Sequence, residues 1–147
     1  MNILIVEDNP ADAKLVKILA QKNSLTENLF FVQDGDQALD FIQKANGYKE
    51  RPPPDLILLD INLPKLNGFE VLRALKADPD YRYIPVIILT SSQNPEDIFR
   101  SFDLGASGYI QKPSSFVEFE KSFKALITYW SEVSLLARAR QEEYLKK

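Results

Sequence analysis

A chain of 147 residues, 45% of them hydrophobic, has the length of one ordinary domain and enough apolar material for its core. Its 18 lysines and arginines stand against 21 aspartates and glutamates, and the net charge of −3 argues against a broad nucleic-acid surface. Cysteine and histidine are both absent, which excludes disulfides, thiol or imidazole catalysis and thiolate or imidazole metal ligands, and leaves carboxylates, hydroxyls and lysine to carry any chemistry.

The first apolar run, Ile3 to Val6, reads as a strand. It has no basic flank and meets a charge at Glu7, so it is not a signal peptide. Asn9-Pro10 then reads as a cap followed by a first-turn proline, opening a helix with Leu15, Ile18 and Leu19 on its apolar side. A second strand is predicted at Leu29 to Val32. Ala38, Leu39 and Ile42 mark a second helix that ends near Asn46-Gly47, and the proline-rich stretch Asn46 to Pro54 is a surface loop. Leu56 to Leu59 is the third strand, followed by a helix on Phe69, Leu72 and Leu75 that stops at Asp78-Pro79. Val86 to Leu89 is the fourth strand. Its helix is opened by Asn94-Pro95-Glu96, carries Ile98, Phe99 and Phe102, and closes at Gly105. A weaker run at Tyr109 to Ile110 precedes a last helix on Phe116, Phe119, Phe123, Leu126, Ile127 and Trp130.

Three of the five runs are near-continuously aliphatic, as strands buried on both faces of a parallel sheet are. The βαβαβαβαβα order predicts an α/β fold with helices on both faces of that sheet. No glycine or proline follows Pro113, so the last helix is free to continue through Val133 and Leu136 towards Tyr144. The expected organisation is one domain over 1–130 and a helical extension over 131–147, with no output domain. No run approaches the roughly 20 apolar residues of a membrane span, and a cytoplasmic protein is expected.

Open parallel sheets bind ligands beyond the carboxyl ends of their strands. There the chain places Glu7-Asp8 after the first strand, Asp60 after the third, Thr90 at the end of the fourth and Lys112 after the fifth. Each alone has an ordinary reading: a helix cap for Glu7-Asp8, a turn former for Asp60, a strand end for Thr90, a solvated side chain for Lys112 and a core position for Tyr109. Together they are chemically coherent. Three carboxylates at one edge repel one another, and a hard divalent cation such as Mg²⁺ with oxygen ligands is the simplest compensation. A carboxylate can attack phosphorus to form an acyl phosphate, with Lys112 and the Thr90 hydroxyl facing the phosphoryl oxygens.

With these residues in place, the chain resembles the receiver domains of two-component signalling over nearly all of residues 1 to 130. The motifs are Ile3-Leu4-Ile5-Val6-Glu7-Asp8-Asn9, Asp55-Leu56-Ile57-Leu58-Leu59-Asp60, Leu63-Pro64 with Gly68 after it, Pro85-Val86-Ile87-Ile88-Leu89-Thr90, and Gly108-Tyr109-Ile110-Gln111-Lys112-Pro113. The resemblance implies a flavodoxin-like three-layer (βα)5 sandwich with strand order 2-1-3-4-5, an order for which a receiver protein is a standing example. It implies that Asp60 accepts a phosphoryl group from a partner histidine kinase. Mg²⁺ would be held by Asp8, by Glu7 through water, by Asp60 and by the backbone carbonyl of Asn62. Thr90 and Lys112 would contact the phosphoryl group, and Tyr109 would turn inward as Thr90 moves. Lys112-Pro113 would be a cis peptide. Any autophosphatase activity would be slow.

The loop Asn46 to Pro54, the run Ile61-Asn62-Leu63-Pro64-Lys65 and the helix end Tyr129-Trp130 are further similar to cyanobacterial phytochrome response regulators. That narrower resemblance implies a phytochrome-type kinase as partner. It also implies a homodimer through the fourth helix, fifth strand and fifth helix, with Phe99, Phe102, Phe119, Phe123 and Trp130 as contact candidates; for Phe123 the core is the better assignment. No nucleic acid and no membrane is expected as partner. A mononucleotide-binding flavodoxin would need a Ser/Thr/Gly-rich phosphate loop after the first strand, and is disfavoured because Glu7-Asp8-Asn9-Pro10-Ala11-Asp12 would repel a phosphate without metal. A phospho-aspartate phosphatase would want a carboxylate where Asn62 stands. The remaining alternative is a pseudo-receiver that binds partners without phosphorylation.

Overall fold

The computed structural model of the chain describes residues 1–24 and 29–133. Five strands alternate with five helices: β1 Ile3–Val6, α1 Pro10–Lys22, β2 Leu29–Val32, α2 Gly35–Gln43, β3 Leu56–Leu59, α3 Gly68–Ala77, β4 Val86–Thr90, α4 Pro95–Asp103, β5 Gly108–Gln111 and α5 Phe116–Thr128. A π-helical turn, Tyr129–Val133, continues α5. Most of the expected extension, from residue 134 onward, lies outside the described residues.

All strand pairs are parallel, in the order β2-β1-β3-β4-β5. The aliphatic runs are the reason: β1, β3 and β4 are buried along their whole length, as the inner strands of a covered sheet must be. Successive side chains of a strand point to opposite faces, and the core divides accordingly. Leu4, Val6, Ile57, Leu59, Val86 and Ile88 pack with residues of α2 and α3. Ile3, Ile5, Leu56, Leu58, Ile87 and Leu89 pack with Val16 and Leu19 of α1 and with Phe119, Phe123, Leu126 and Ile127 of α5.

The helices begin where their side chains cap them. Asn9 accepts from the backbone N–H groups of Ala11 and Asp12, with Pro10 in the first turn. Asn67 and Glu70 close a reciprocal capping box at α3. Helix α4 keeps its two phenylalanines out of the core. Its apolar stripe does not cover the sheet: Ser101 is the buried residue, while Phe99 is 74% exposed and Phe102 50% exposed. Phe119 and Phe123 are core residues, at 4% and 3% exposure; the core is the assignment expected for Phe123, and Phe119 is thereby removed from the expected contact face. Trp130 is half-buried against that core.

Candidate functional site

The register of the sheet builds the site. Val6 pairs with Leu59, so Glu7 and Asp60 leave β1 and β3 side by side, and Asp60 N–H donates to the Val6 carbonyl at 3.1 Å. Thr90 pairs with Gln111, which brings Lys112 to the same edge, and Lys112 N–H donates to the Thr90 carbonyl at 2.7 Å.

Strand alternation then sorts the side chains. Glu7 continues Ile3 and Ile5, Asp60 continues Leu56 and Leu58, and Lys112 continues Ile110, all on the α1/α5 face. Here the Lys112 ammonium donates to Glu7 Oε1, to Asp12 Oδ2 at 2.9 Å and to Asp60 Oδ2 at 3.0 Å. The side chains of Lys112, Glu7 and Asp60 are 10%, 5% and 8% exposed, so their pairing takes place largely away from water. Asp60 Oδ1 accepts from the backbone N–H of Asn62 at 3.0 Å, which anchors the carboxyl on its other oxygen. Glu7 Oε2 accepts from the backbone N–H of Asn9 at 3.2 Å.

Glu7, Asp8 and Asp60 each offer a carboxylate oxygen, and these oxygens lie within 4.8 Å of one another, with Asp8 exposed and the other two buried. Three oxygen donors with one side open suit a hard divalent cation that keeps some of its water, and the donor set therefore fits Mg²⁺.

Burial pushes the Glu7 carboxyl up to about 7, against the opposing pull of the Lys112 ammonium. Desolvation works against the ammonium too, but its hydrogen bonds to Glu7 and Asp12 and the charge of Asp60 outweigh that and hold it above the ordinary lysine range. A carboxyl raised on folding stabilises the fold below its unfolded value of 4.5, and that contribution is lost as pH rises through about 7. Measured in chelator, the stability of the native chain relative to Glu7→Gln is expected to fall by about 3 kcal/mol between pH 4.5 and 8. Denaturant titrations of both proteins across that range check it, and parallel curves would refute it.

Thr90 and Tyr109 lie on the other face. Thr90 continues Val86 and Ile88 and is fully buried, and Tyr109 packs against the α2/α3 cluster. They meet through Ser92, a residue that the sequence does not single out. Ser92 N–H donates to Thr90 Oγ1 at 3.5 Å, the Tyr109 hydroxyl donates to the Ser92 carbonyl at 3.0 Å, and Ser92 Oγ donates to Asp97 Oδ2 of α4 at 2.7 Å. A loop serine after a strand carries no distinguishing pattern, so only the fold identifies it. Asp12 likewise reads in the sequence only as one charge in an acidic loop.

The expected cis bond at Lys112-Pro113 is not found: the described residues contain no cis peptide bond. Before proline the trans form is favoured by about 0.5–1 kcal/mol, and with this bond trans Lys112 already reaches its three acids, so nothing in the site calls for the other isomer.

The sequence profile of the response regulator receiver domain matches residues 3–124. Response regulator Rcp1 of Synechocystis sp. is 37% identical over 137 residues, 93% of this chain and 93% of its own length. Among solved structures, the phosphorylated cyanobacterial phytochrome response regulator RcpA superposes with a TM-score of 0.87 at 36% identity, over 92% of this chain and 97% of that one. The Mn²⁺-bound form of response regulator Rcp1 gives 0.84 at 37% identity, over 91% and 96% of the two chains.

Proposed function

The chain belongs to the receiver-domain family of the response regulators of two-component signalling, whose members interact with histidine kinases and bind divalent metal, and from that premise we propose that Asp60 is its phosphoacceptor. The observation that carries the reading is the Asp60 carboxyl itself. It is buried to 6% exposure, fixed by Asn62 N–H on one oxygen, bonded to the Lys112 ammonium on the other, and flanked by two further carboxylates.

In the proposed reaction an Asp60 oxygen forms a bond to phosphorus while the bond from phosphorus to a phosphohistidine nitrogen of the kinase breaks. The electron pair of that bond leaves with the imidazole, which takes up a proton. Lys112 neutralises charge on the phosphoryl oxygens, and Asn62 N–H keeps the carboxyl from rotating. Glu7, Asp8, Asp60 and the Asn62 backbone carbonyl would hold Mg²⁺, which would supply positive charge to the phosphoryl oxygens. Thr90 then turns towards the modified Asp60, and the strain passes through Ser92 to Tyr109 and Asp97, reshaping the α4 surface. Hydrolysis of the acyl phosphate is slow, because Asn62 replaces the carboxylate that would activate water.

The similarity to Rcp1 and RcpA supports a phytochrome-type kinase as the partner. A homodimer through α4, β5 and α5 is supported by the exposed Phe99 and Phe102, with Tyr129 at the end of α5. The domain spans 1–130, with 131–147 as an extension. The cytoplasm is the compartment this reading implies, and no described helix is long and apolar enough to cross a membrane.

Intact mass after incubation with acetyl phosphate tests the reading. One phosphoryl adduct is expected, dependent on Mg²⁺ and absent in Asp60→Asn. No adduct on the native chain, or an equal adduct on the variant, would overturn it and favour a pseudo-receiver. Sedimentation of the same modified and unmodified samples tests the dimer, and a monomer in both at every concentration would remove it.

A further inference from the structure

Two sets of carboxylates overlap at this site. The trio able to share a cation is Glu7, Asp8 and Asp60. The trio bonded to Lys112 is Glu7, Asp12 and Asp60. Asp8 belongs to the first set alone, and Asp12 to the second alone. A cation held by the first set would compete with the lysine for Glu7 and Asp60, and a phosphoryl group on Asp60 would move that residue's charge from the carboxylate to the phosphoryl oxygens. Both events would loosen the bonds that the Glu7 and Asp60 carboxylates now make to the lysine, and neither involves Asp12.

We propose that Asp12 is the positioning residue for Lys112, the acid that keeps its ammonium aimed at the phosphoryl group once the other two partners are engaged elsewhere. This rests on Asp60 being the phosphoacceptor. Lysine needs such a partner: its ammonium is a point charge on a four-carbon stem with about 2 kcal/mol of rotamer freedom. The ammonium has three N–H donors, and the three acids take one each. Asp12 is well suited to the task because the fold fixes where it stands. Asn9 accepts its backbone N–H at 3.2 Å, which locks the first turn of α1 and places the Asp12 carboxyl over the strand ends. At 34% exposure its side chain stands at the rim of the site, where it holds Lys112 without closing the approach of a phosphoryl donor.

The test compares the native chain with Asp12→Asn, which keeps shape and removes charge at a partly exposed position. Acetyl phosphate is the donor, the adduct is followed by intact mass, and Mg²⁺ affinity is measured by titration calorimetry. The variant is expected to form the adduct about ten-fold more slowly at saturating donor, to the same final amount, with a half-saturating donor concentration no higher than native. Its Mg²⁺ affinity is expected to stay within about two-fold of native, since Asp12 is outside the cation trio. A merely structural role would lower the final amount and leave the rate constant alone. An unchanged or faster rate would overturn the proposal, and so would a loss of Mg²⁺ affinity parallel to the loss of rate, which would make Asp12 a metal ligand. No adduct on the native chain would instead overturn the phosphoacceptor reading, and this inference with it.

Discussion

Lys112→Met is expected to destabilise the cation-free protein by about 3–5 kcal/mol, the range for removing one partner of a buried ion pair. Glu7 and Asp60 are each 6% exposed and stand side by side at the ends of β1 and β3. Lys112 bonds to both, and it bonds to Asp12 as well. Methionine keeps the apolar stem packed, so the loss reports the charge and not the volume. The penalty is smaller at pH 6 than at pH 8, because Glu7, already pushed up to about 7, relieves the repulsion by taking a proton. Mg²⁺ should then stabilise the variant more than the native chain, since nothing competes for its carboxylates. Urea unfolding in chelator and in Mg²⁺ measures both effects. A difference below about 1 kcal/mol in chelator, the scale of an exposed pair, would refute the expectation, as would the same gain from Mg²⁺ in both proteins. Adduct formation from acetyl phosphate should fall by about 10²- to 10³-fold, the scale of losing one charge-stabilising donor.

The second large effect is expected from Gly68→Ala. A Cβ at Gly68 would lie 2.4 Å from the carbonyl oxygen of Asp60 and 2.5 Å from Cα of Ile61, and both obstacles are backbone. Gly68 N–H donates to the Ile61 carbonyl at 3.1 Å, so α3 begins pressed against the segment that carries Asp60. A methyl group there costs about 3 kcal/mol if the backbone resists; if the backbone yields, Asp60 shifts away from Lys112. Stability and phosphorylation rate are therefore expected to suffer together. Thermal unfolding and adduct kinetics on one preparation decide it, and a variant with native values of both would show that the loop accommodates a side chain.

The inner strands were legible because burial on both faces leaves a plain mark, an unbroken aliphatic run such as Leu56 to Leu59. Helix starts were legible because their caps are local: Asn9-Pro10 and Asn94-Pro95 announce α1 and α4. What covers each helix face was not. The aromatic residues Phe99, Phe102 and Phe119 all fall on helix stripes, yet the first two are exposed and Phe119 is core. Periodicity records that apolar residues share a side and does not say what lies opposite. The strand-end residues Glu7, Asp8, Asp60 and Lys112 were legible for a topological reason, and the fold brings them together. Asp12 was not, because it lies in a helix turn and not at one of the strand ends that the topology marks. Strand parity held a clue: Glu7, Asp60 and Lys112 share the face on which α1 packs, and Asp12 is in the first turn of α1. The trans bond at Lys112-Pro113 could not be read from residue type, since the two isomers differ by so little.

The alternation that divides the core also divides the work. Glu7, Asp60 and Lys112 occupy one side of the sheet, and Thr90 with Tyr109 the other. A slip of one residue in the pairing of β3 would exchange Ile57 and Leu59 for Leu56 and Leu58 on each face, and would carry Asp60 to the side away from Lys112. The hydrophobic pattern that forbids such a slip therefore guards the chemistry as well as the core. A chain that has folded in register has, by the same act, set Asp60 beside Lys112. An error of register would therefore leave a receiver without its acid and lysine pair, not one with the pair misplaced.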